Sequence, residues 1–387
     1  MLARSRRGLG IMLIGVVAIV TATANPAAAP PGDLDPTFSG DGKQNTDFGG
    51  TELANGVAIQ ADRKIVAAGC ASCFSSSGAQ DFALARYNAD GSLDPTFDGD
   101  GKVTTDFAGS NDEAHGVAIQ ADGKVVAAGV AFVSGFNDFA LARYNADGSL
   151  DPTFDGDGKV TTDFGGGTDR ASEVAIQADG KIVAGGFSDV SGFNDFALAR
   201  YNPDGSPDPT FSGDGKATTD FAGNSDEAHG VAIQADGKIV AAGIAASGTF
   251  NFALARYNPN GSLDSTFDGD GKATTDFAGS DDGARGVAIQ ANGRIVAAGR
   301  AVVSGFEDFA LARYNPDGSL DPTFSGDGKV TTDFAGFRDD AHGVAIQADG
   351  KIVAGGIAVV SATLDFGLAR YTVCRRTSRP SSIPFCP

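Results

Sequence analysis

The chain has 387 residues, a formal net charge of −20, 42% hydrophobic and 20% charged residues. That balance is ordinary for a globular protein, and so acidic a surface argues against a nucleic-acid partner. Glycine is abundant, at 55 residues, but glycine and proline together stay below the share that marks disordered chains, so the excess belongs to turns.

The first residues have the order of an export signal. Arg4, Arg6 and Arg7 precede an apolar run from Leu9 to Val20, and Ala22-Thr23-Ala24 supplies small residues for cleavage. Residues 1–24 are read as a signal peptide and 25–33 as a short linker. The apolar run is too short for a comfortable membrane span, and no later stretch is apolar enough for one. Ser5-Arg6-Arg7-Gly8-Leu9 is a faint twin-arginine pattern, which an ordinary basic leader explains equally well. Cleavage would remove three arginines and no acid, leaving a formal charge of −23. The expectation is an exported monomer with no stable membrane span, resting outside the cell, in a periplasm or on the cell surface.

Leu-Ala-Arg-Tyr then recurs at Leu84, Leu141, Leu198, Leu254, Leu311 and Leu368, a period of 56 or 57 residues that marks a repeat architecture. The repeats fill residues 34–372 without a linker, which implies one domain followed by a non-repeating tail, 373–387. Within one unit, four β-patterned segments follow each other: His115–Gln120, Lys124–Val130, Asp138–Tyr144 and Lys159–Phe164. Asp-Gly between the first two supplies the positive φ of a tight hairpin. Four antiparallel strands per unit describe a propeller blade, so the expected fold is all-β, a six-bladed β-propeller. Alanines and glycines on the first two strands suit the crowded axis, and Phe139, Leu141, Tyr144 and Phe164 suit the wide outer part of a wedge.

The phase of the repeat bears on closure. The chain enters at Leu34 and reaches a fourth strand, 42–48, with no preceding three, and it leaves the repeat at Tyr371 after three strands with no fourth. Strand 42–48 is expected to complete the last blade and close the ring, hiding edges that an open solenoid would leave exposed. In the first repeat Arg63 replaces the turn glycine, so it is expected to carry a positive φ.

Leu-Asp-Pro-Thr-Phe, Gly-Lys-Val-Thr-Thr-Asp-Phe, Val-Ala-Ile-Gln-Ala-Asp-Gly-Lys-Ile-Val-Ala and Phe-Ala-Leu-Ala-Arg-Tyr-Asn, taken together over Leu34 to Tyr371, closely resemble the delta-60 repeat β-propeller family of bacterial exported proteins. The resemblance implies a propeller and carries no biochemical activity with it.

Four cysteines allow three pairings, of which Cys70 with Cys73 and Cys374 with Cys386 is preferred: one would staple a loop peculiar to the first repeat, the other would close the tail. Nucleophile and phosphate-loop motifs are missing. The connections on one face of the ring repeat almost unchanged, while those on the other vary, as Ala131–Asn137 does against 245–250. Recognition usually lives on variable loops of a rigid scaffold, so Asp112, Glu113, Phe136, Asp226, Glu227, Arg300 and Arg338 are the candidate ligand residues. Arg300 and Arg338 are the charged residues that break the repeat; the repeated arginines are expected to pair with repeated acids inside each blade. His115, His229 and His342 share one repeat position in alternate blades. Three imidazoles at threefold spacing around a channel would suit Zn²⁺, with Asp112, Glu113, Asp226, Glu227, Asp339 and Asp340 as an acidic collar. Asp98 to Gly101 has a weak calcium-loop pattern that turn chemistry explains better. No cofactor is expected beyond such a divalent ion, Zn or Ca. The leading functional reading is an exported, non-enzymatic binding scaffold using the variable face, with a protein, glycan or small molecule as partner. The alternative is a metal-dependent propeller hydrolase or lactonase built on the histidines or the acidic collar, and a third reading is a self-associating spacer in a surface assembly.

Overall fold

The computed structural model describes residues 34–73, 80–109, 111–189, 192–360 and 363–373. The leader, the linker and the Cys374–Cys386 pair lie outside the described residues. The first blade consists of β1 (Leu53–Ile59), β2 (Ile65–Ala71), β3 (Asp81–Tyr87) and β4 (Lys102–Thr105), antiparallel and adjacent in that order. The pattern recurs as β5–β8 (112–162), β9–β12 (169–219), β13–β16 (226–275), β17–β20 (282–332) and β21–β23 (339–371). The fold is an all-β, six-bladed propeller, with no helix among the described residues and none able to cross a membrane.

Turn chemistry sets the strand ends. Arg63 has φ 71° in the β1–β2 turn, where the later blades place glycines such as Gly123 at 85°. Segment Ala131–Asn137, expected as a loop, is instead the tip of a β-hairpin: Val133 pairs with Phe136 across Ser134 (φ 54°) and Gly135 (φ 101°). Two successive residues of positive φ match the twist of the flanking strands. The variable face is therefore carried on paired strands. In the Asp98–Gly101 turn, Asp98 has φ 50° and the Asp100 carboxylate accepts from Lys102 N at 2.9 Å, so these acids serve the turn.

Each hydrophobic cluster is shared by two blades. Between blades 2 and 3, Phe139, Leu141 and Phe154 pack on Ile182, Ala184 and Tyr201, all within about 1% of full burial. The small Ala184 admits the bulky outer residues of the preceding blade. Tyr201, fully enclosed, finds a partner for its hydroxyl in Thr162 of blade 2 at 2.7 Å. Inside the blade, Arg143 forms an ion pair with Asp151 at 2.8 Å and lies 4.7 Å over the Phe154 ring, and Lys124 reaches the same carboxylate at 2.8 Å. The repeated arginines thus pair with repeated acids, as the sequence suggests.

Closure through residues 42–48 is not formed. β23 (Thr363–Tyr371) pairs with β22 alone, so the sixth blade has three strands. Phe366 and Leu368 on β23 are 102% and 70% exposed, against 0% for Phe139 and Leu141 at the same repeat positions. Val57 and Ile59 of β1 are likewise exposed. Residues 43–48 lie beside blade 1 with no strand pairing, yet they keep two contacts that a fourth strand makes with the next blade. Thr46 bonds the Tyr87 hydroxyl at 2.6 Å and Lys102 Nζ donates to Asp47 O at 3.1 Å. The physical reason is local. Val103 faces Leu84 across β3–β4, and the corresponding residue ahead of blade 1 is Gln44, which offers no apolar side to Leu368. Its amide turns inward on its own segment, donating to Asn45 O at 2.9 Å and accepting from the Ser39 hydroxyl.

Candidate functional site

A β-bulge governs where the axial side chains go. In β5 the pairing with β6 skips from Ala114 to Gly116, leaving His115 unpaired, and the same skip leaves out Asn55, His229, Arg285 and His342 in their blades. A bulge re-aims its extra residue. Here it turns the side chain toward the following blade: Asn55 Nδ2 donates to Ala114 O at 2.9 Å, and His115 Nδ1 donates to Ala171 O at 2.7 Å. His115 Nε2 lies 2.9 Å from an Arg170 guanidinium nitrogen and 3.7 Å from Glu113, so both ring nitrogens are engaged.

The expected zinc ring does not assemble. His229 lies 4.0 Å from Glu227 of its own strand, and His342 lies 3.5 Å from Asp340. Among the described residues, no group of three clustered metal-ligating side chains contains a histidine. Burial, then the charges of Arg285 and Arg170, push His229 down to about 4. The bulge spends the His115 imidazole on the next blade, while His229 and His342 meet acids of their own strands. Glu113 is held below the usual carboxylate range by its contact with His115, and Asn55 donates to it at 3.0 Å. Glu173, which the sequence did not single out, stands where other blades have glycine, and burial pushes it up to about 7.

Metal-ligating groups do occur, at the junctions. Asp81, Asp106 and Asp112 place carboxylate oxygens within 4.8 Å of one another, and so do Asp138, Asp163 and Asp169; Asp195, Asp220 and Asp226; and Asp308, Asp333 and Asp339. The first acid lies within the first three residues of a third strand, the second follows a fourth strand, and the third opens the next blade. Asp112 and Asp226, expected as ligand residues, are fully buried members of these triads. Asp112 also caps the turn, accepting from Phe107 N at 2.7 Å. Burial, then neighbouring aspartates, push Asp138, Asp195 and Asp308 up to about 6. The acidic groups are positioned to bind a metal, and an all-oxygen set suits a hard cation such as Ca²⁺ better than Zn²⁺. The signal was present in sequence as three repeated aspartates, but they lie about 25 and 6 residues apart and only the blade junction joins them.

One cluster of repeat-breaking charges lies where blades 5 and 6 meet. Arg300 (β18, Ile295–Val303) donates to Glu307 Oε1 at 2.5 Å, and Arg338, just before β21 (Asp339–Ile346), reaches Oε2 of the same carboxylate at 2.5 Å. Arg338 also lies 3.8 Å from Asp340, whose two oxygens accept from Arg285 Nε at 3.0 Å each. Burial works against the Asp340 charge, but His342 and Arg285 hold its carboxyl below the ordinary value. Arg300 and Arg338 are thus brought together as a pair, through Glu307 and Asp340, and Arg285 joins them. Sequence reading missed Glu307 and Arg285; each is a charge at a position where other blades carry something else. Asp340 is 1% exposed and Glu307 23%, whereas Arg285, Arg300 and Arg338 are 33%, 31% and 58% exposed. Buried acids anchor guanidinium groups whose remaining N–H donors face solvent. Phe306 and Phe337 flank the cluster, 50% and 44% exposed; Phe136 is 50% exposed on blade 2. The opposite face holds inter-blade clefts of about 570 and 860 Å³, lined by repeated residues such as Gln60, Lys64 and Gln120, or Gln234, Lys238 and Gln290.

Fold and site together define a β-propeller scaffold with an irregular, charged cluster between blades 5 and 6. The family described as "Domain of unknown function (DUF5122) beta-propeller" matches residues 60–97, 120–154, 177–211, 234–267, 290–324 and 347–373, and the chain belongs to it. No curated protein matches the chain. Among solved structures, the chain is similar to a gluconolactonase from Xanthomonas campestris (14% identity, 79% of this chain and 84% of that one, TM-score 0.44). It is also similar to virginiamycin B lyase from Staphylococcus aureus (10%, 84% and 88%, 0.47) and to Sqt1 from Chaetomium thermophilum (11%, 86% and 85%, 0.45). None of these likenesses bears on activity.

Proposed function

We propose that this chain is an exported, non-enzymatic binding module whose ligand site is the charged cluster where blades 5 and 6 meet on the variable face. One observation carries the reading: residues that break the repeat at separate places in the sequence, Arg285, Arg300, Glu307 and Arg338, join in one network with Asp340. Repeat-built surfaces cannot distinguish one blade from another; this cluster can. The leader-like residues 1–24 and the Cys70–Cys73 disulfide support an exported location. The hydrolase reading has no assembled histidine set to rest on and depends on clustered acids alone.

The test is a thermal-shift panel of sugars, oligosaccharides, peptides and carboxylic acids against wild type, the Arg300→Ala/Arg338→Ala double variant, and Asp236→Asn on the opposite face. At least one compound class is expected to raise the melting temperature of wild type and Asp236→Asn but not of the double variant. A panel in which nothing raises it, or in which the double variant responds equally, removes this face as the ligand site.

A further inference from the structure

The Asp138, Asp163 and Asp169 triad, between blades 2 and 3, has a feature that the other junctions lack. Asp169 opens β9 (Asp169–Ile176), and directly opposite it in β10 (Ile182–Asp189) stands Ser188. Residues opposite each other in an antiparallel pair share one face of the sheet. The four other junctions put alanine there: Ala131 faces Asp112, Ala245 faces Asp226, Ala301 faces Asp282 and Ala358 faces Asp339. Ser188 and Asp169 are both fully buried, and Ser188 Oγ and Asp169 Oδ1 are both without a hydrogen-bond partner. Burial pushes the Asp169 carboxyl up; the Ser188 hydroxyl lies close enough to oppose that without completing a hydrogen bond. At Asp226 and Asp339 the corresponding oxygen accepts from Ala246 N and Val359 N, at 3.1 and 3.2 Å. In blade 3 the equivalent donor, Asp189 N, goes to Thr168 O instead, at 3.0 Å.

Three acids alone would not mark a site; the orphaned hydroxyl among them does, because a buried oxygen left without a partner is costly. Asp163 uses Oδ1 for Gly165 N and Gly166 N, at 2.7 and 2.6 Å, and Asp169 uses Oδ2 for Phe164 N at 2.7 Å, so each keeps a second oxygen. The charges around the triad do not neutralise it. Lys216 Nζ donates to the backbone oxygen of Asp163 at 3.0 Å, Arg170 lies 2.9 Å from His115 Nε2, and Asp189 adds a further acid beside Ser188. A proton settles on one oxygen at a time, whereas Ca²⁺ takes about six to eight oxygen ligands, carboxylate and water together, in flexible geometry. Mg²⁺ demands a stricter octahedron, which an uneven, partly buried set does not offer. Asp163 is exposed while Asp169 is sealed, so the set runs from solvent inward and leaves an entry path.

We infer that the junction of blades 2 and 3 binds one Ca²⁺ ion through Asp138, Asp163, Asp169 and Ser188, with water completing the shell. The ion ties the third strand of blade 2 to the first two strands of blade 3, and the site is independent of the charged cluster between blades 5 and 6. The probe is CaCl₂ alone, added to chelator-stripped full-length protein at neutral pH and constant ionic strength, with MgCl₂ as the control. The melting temperature is followed against cation concentration for wild type, Ser188→Ala, Asp163→Asn and Asp106→Asn. Wild type is expected to be stabilised by calcium with a half-effect at about 10⁻⁴ to 10⁻³ M, the range of extracellular calcium modules. Ser188→Ala carries the residue of the other blades, so it should fold and need about tenfold more calcium, which corresponds to one lost ligand contact of about 1.4 kcal/mol. Asp163→Asn should shift in the same direction, and Asp106→Asn, the matching change at the junction of blades 1 and 2, should respond as wild type does. No rise with calcium, an equal rise with magnesium, or an unchanged response in Ser188→Ala overturns the inference. An equal shift in Asp106→Asn overturns it too, since calcium would then act on the acidic surface as a whole.

Discussion

Leu141 and Leu368 occupy one position of the repeat and have opposite surroundings: the first is sealed between blades 2 and 3, the second stands in water on the outer strand of blade 6. The contrast extends to the backbone. A Cβ at Gly116 would come within 2.9 Å of Glu173 in the next blade, whereas one at Gly343 would meet nothing within 4 Å. Identical residues are therefore core or surface according to whether a neighbouring blade arrives. In a repeat protein the interface between units supplies much of what a single unit lacks. The two end blades lack that contribution, and Gln44 puts a polar residue at the pairing position where blade 1 has Val103.

The largest effect should come from truncating that leucine in its two settings. Leu141→Ala is expected to cost about 3 kcal/mol in urea unfolding, and Leu368→Ala to stay within about 0.5 kcal/mol. Equal losses would show that the two ends of the chain meet in solution and bury Leu368 after all.

A pH series separates the junction acids from the intrablade pairs. Asp112, Asp138, Asp195, Asp282 and Asp308 are pushed up to about 6, chiefly by burial. The fold favours their protonated form, so their contribution to stability is present below pH about 4 and is lost as pH rises through 6. Asp94, Asp151, Asp208 and Asp264 lie on the other side. Burial opposes their charge, but hydrogen bonds from threonine and lysine and the adjacent arginines outweigh it and hold them low. Their contribution is present above about pH 4 and is lost on acidification. The melting temperature should therefore peak between about pH 4 and 5 and decline toward 7, with a shallower decline in Asp138→Asn. A melting temperature that climbs steadily from pH 4 to 7 would contradict the junction assignment.

The smallest expected change concerns the turn of the first blade. Arg63→Gly relieves a left-handed backbone at a non-glycine residue and should stabilise by about 1 kcal/mol. An unchanged or lower melting temperature would mean that the Arg63 side chain contributes more than its backbone costs.

Much of the fold was legible in sequence because its causes are local. Asp-Gly turns, alternating apolar residues and a fixed period predict four strands per unit and six units, and Arg63 was identifiable as a strained residue from a single missing glycine. The arginine–aspartate pairs were legible for the same reason: Arg86 and Asp94 lie eight residues apart, joined by a short connection. The site was less so. The histidines shared a position and suggested a ring, but each sits on a bulge, marked only by the glycine that follows it, and the three are not brought together: His115 bonds the next blade while His229 and His342 meet acids of their own strands. Arg300 and Arg338 stood out as exceptions to the repeat, yet their common anchor Glu307 did not.

By itself, then, the sequence determined the blade: hydrogen-bonding turns and strand patterning act over a few residues and need no distant partner. Only the tertiary structure decided what happens between blades. Which leucine is core, which aspartates crowd into triads, and whether two irregular arginines share one carboxylate all depend on groups some 30 to 60 residues apart being brought together by packing.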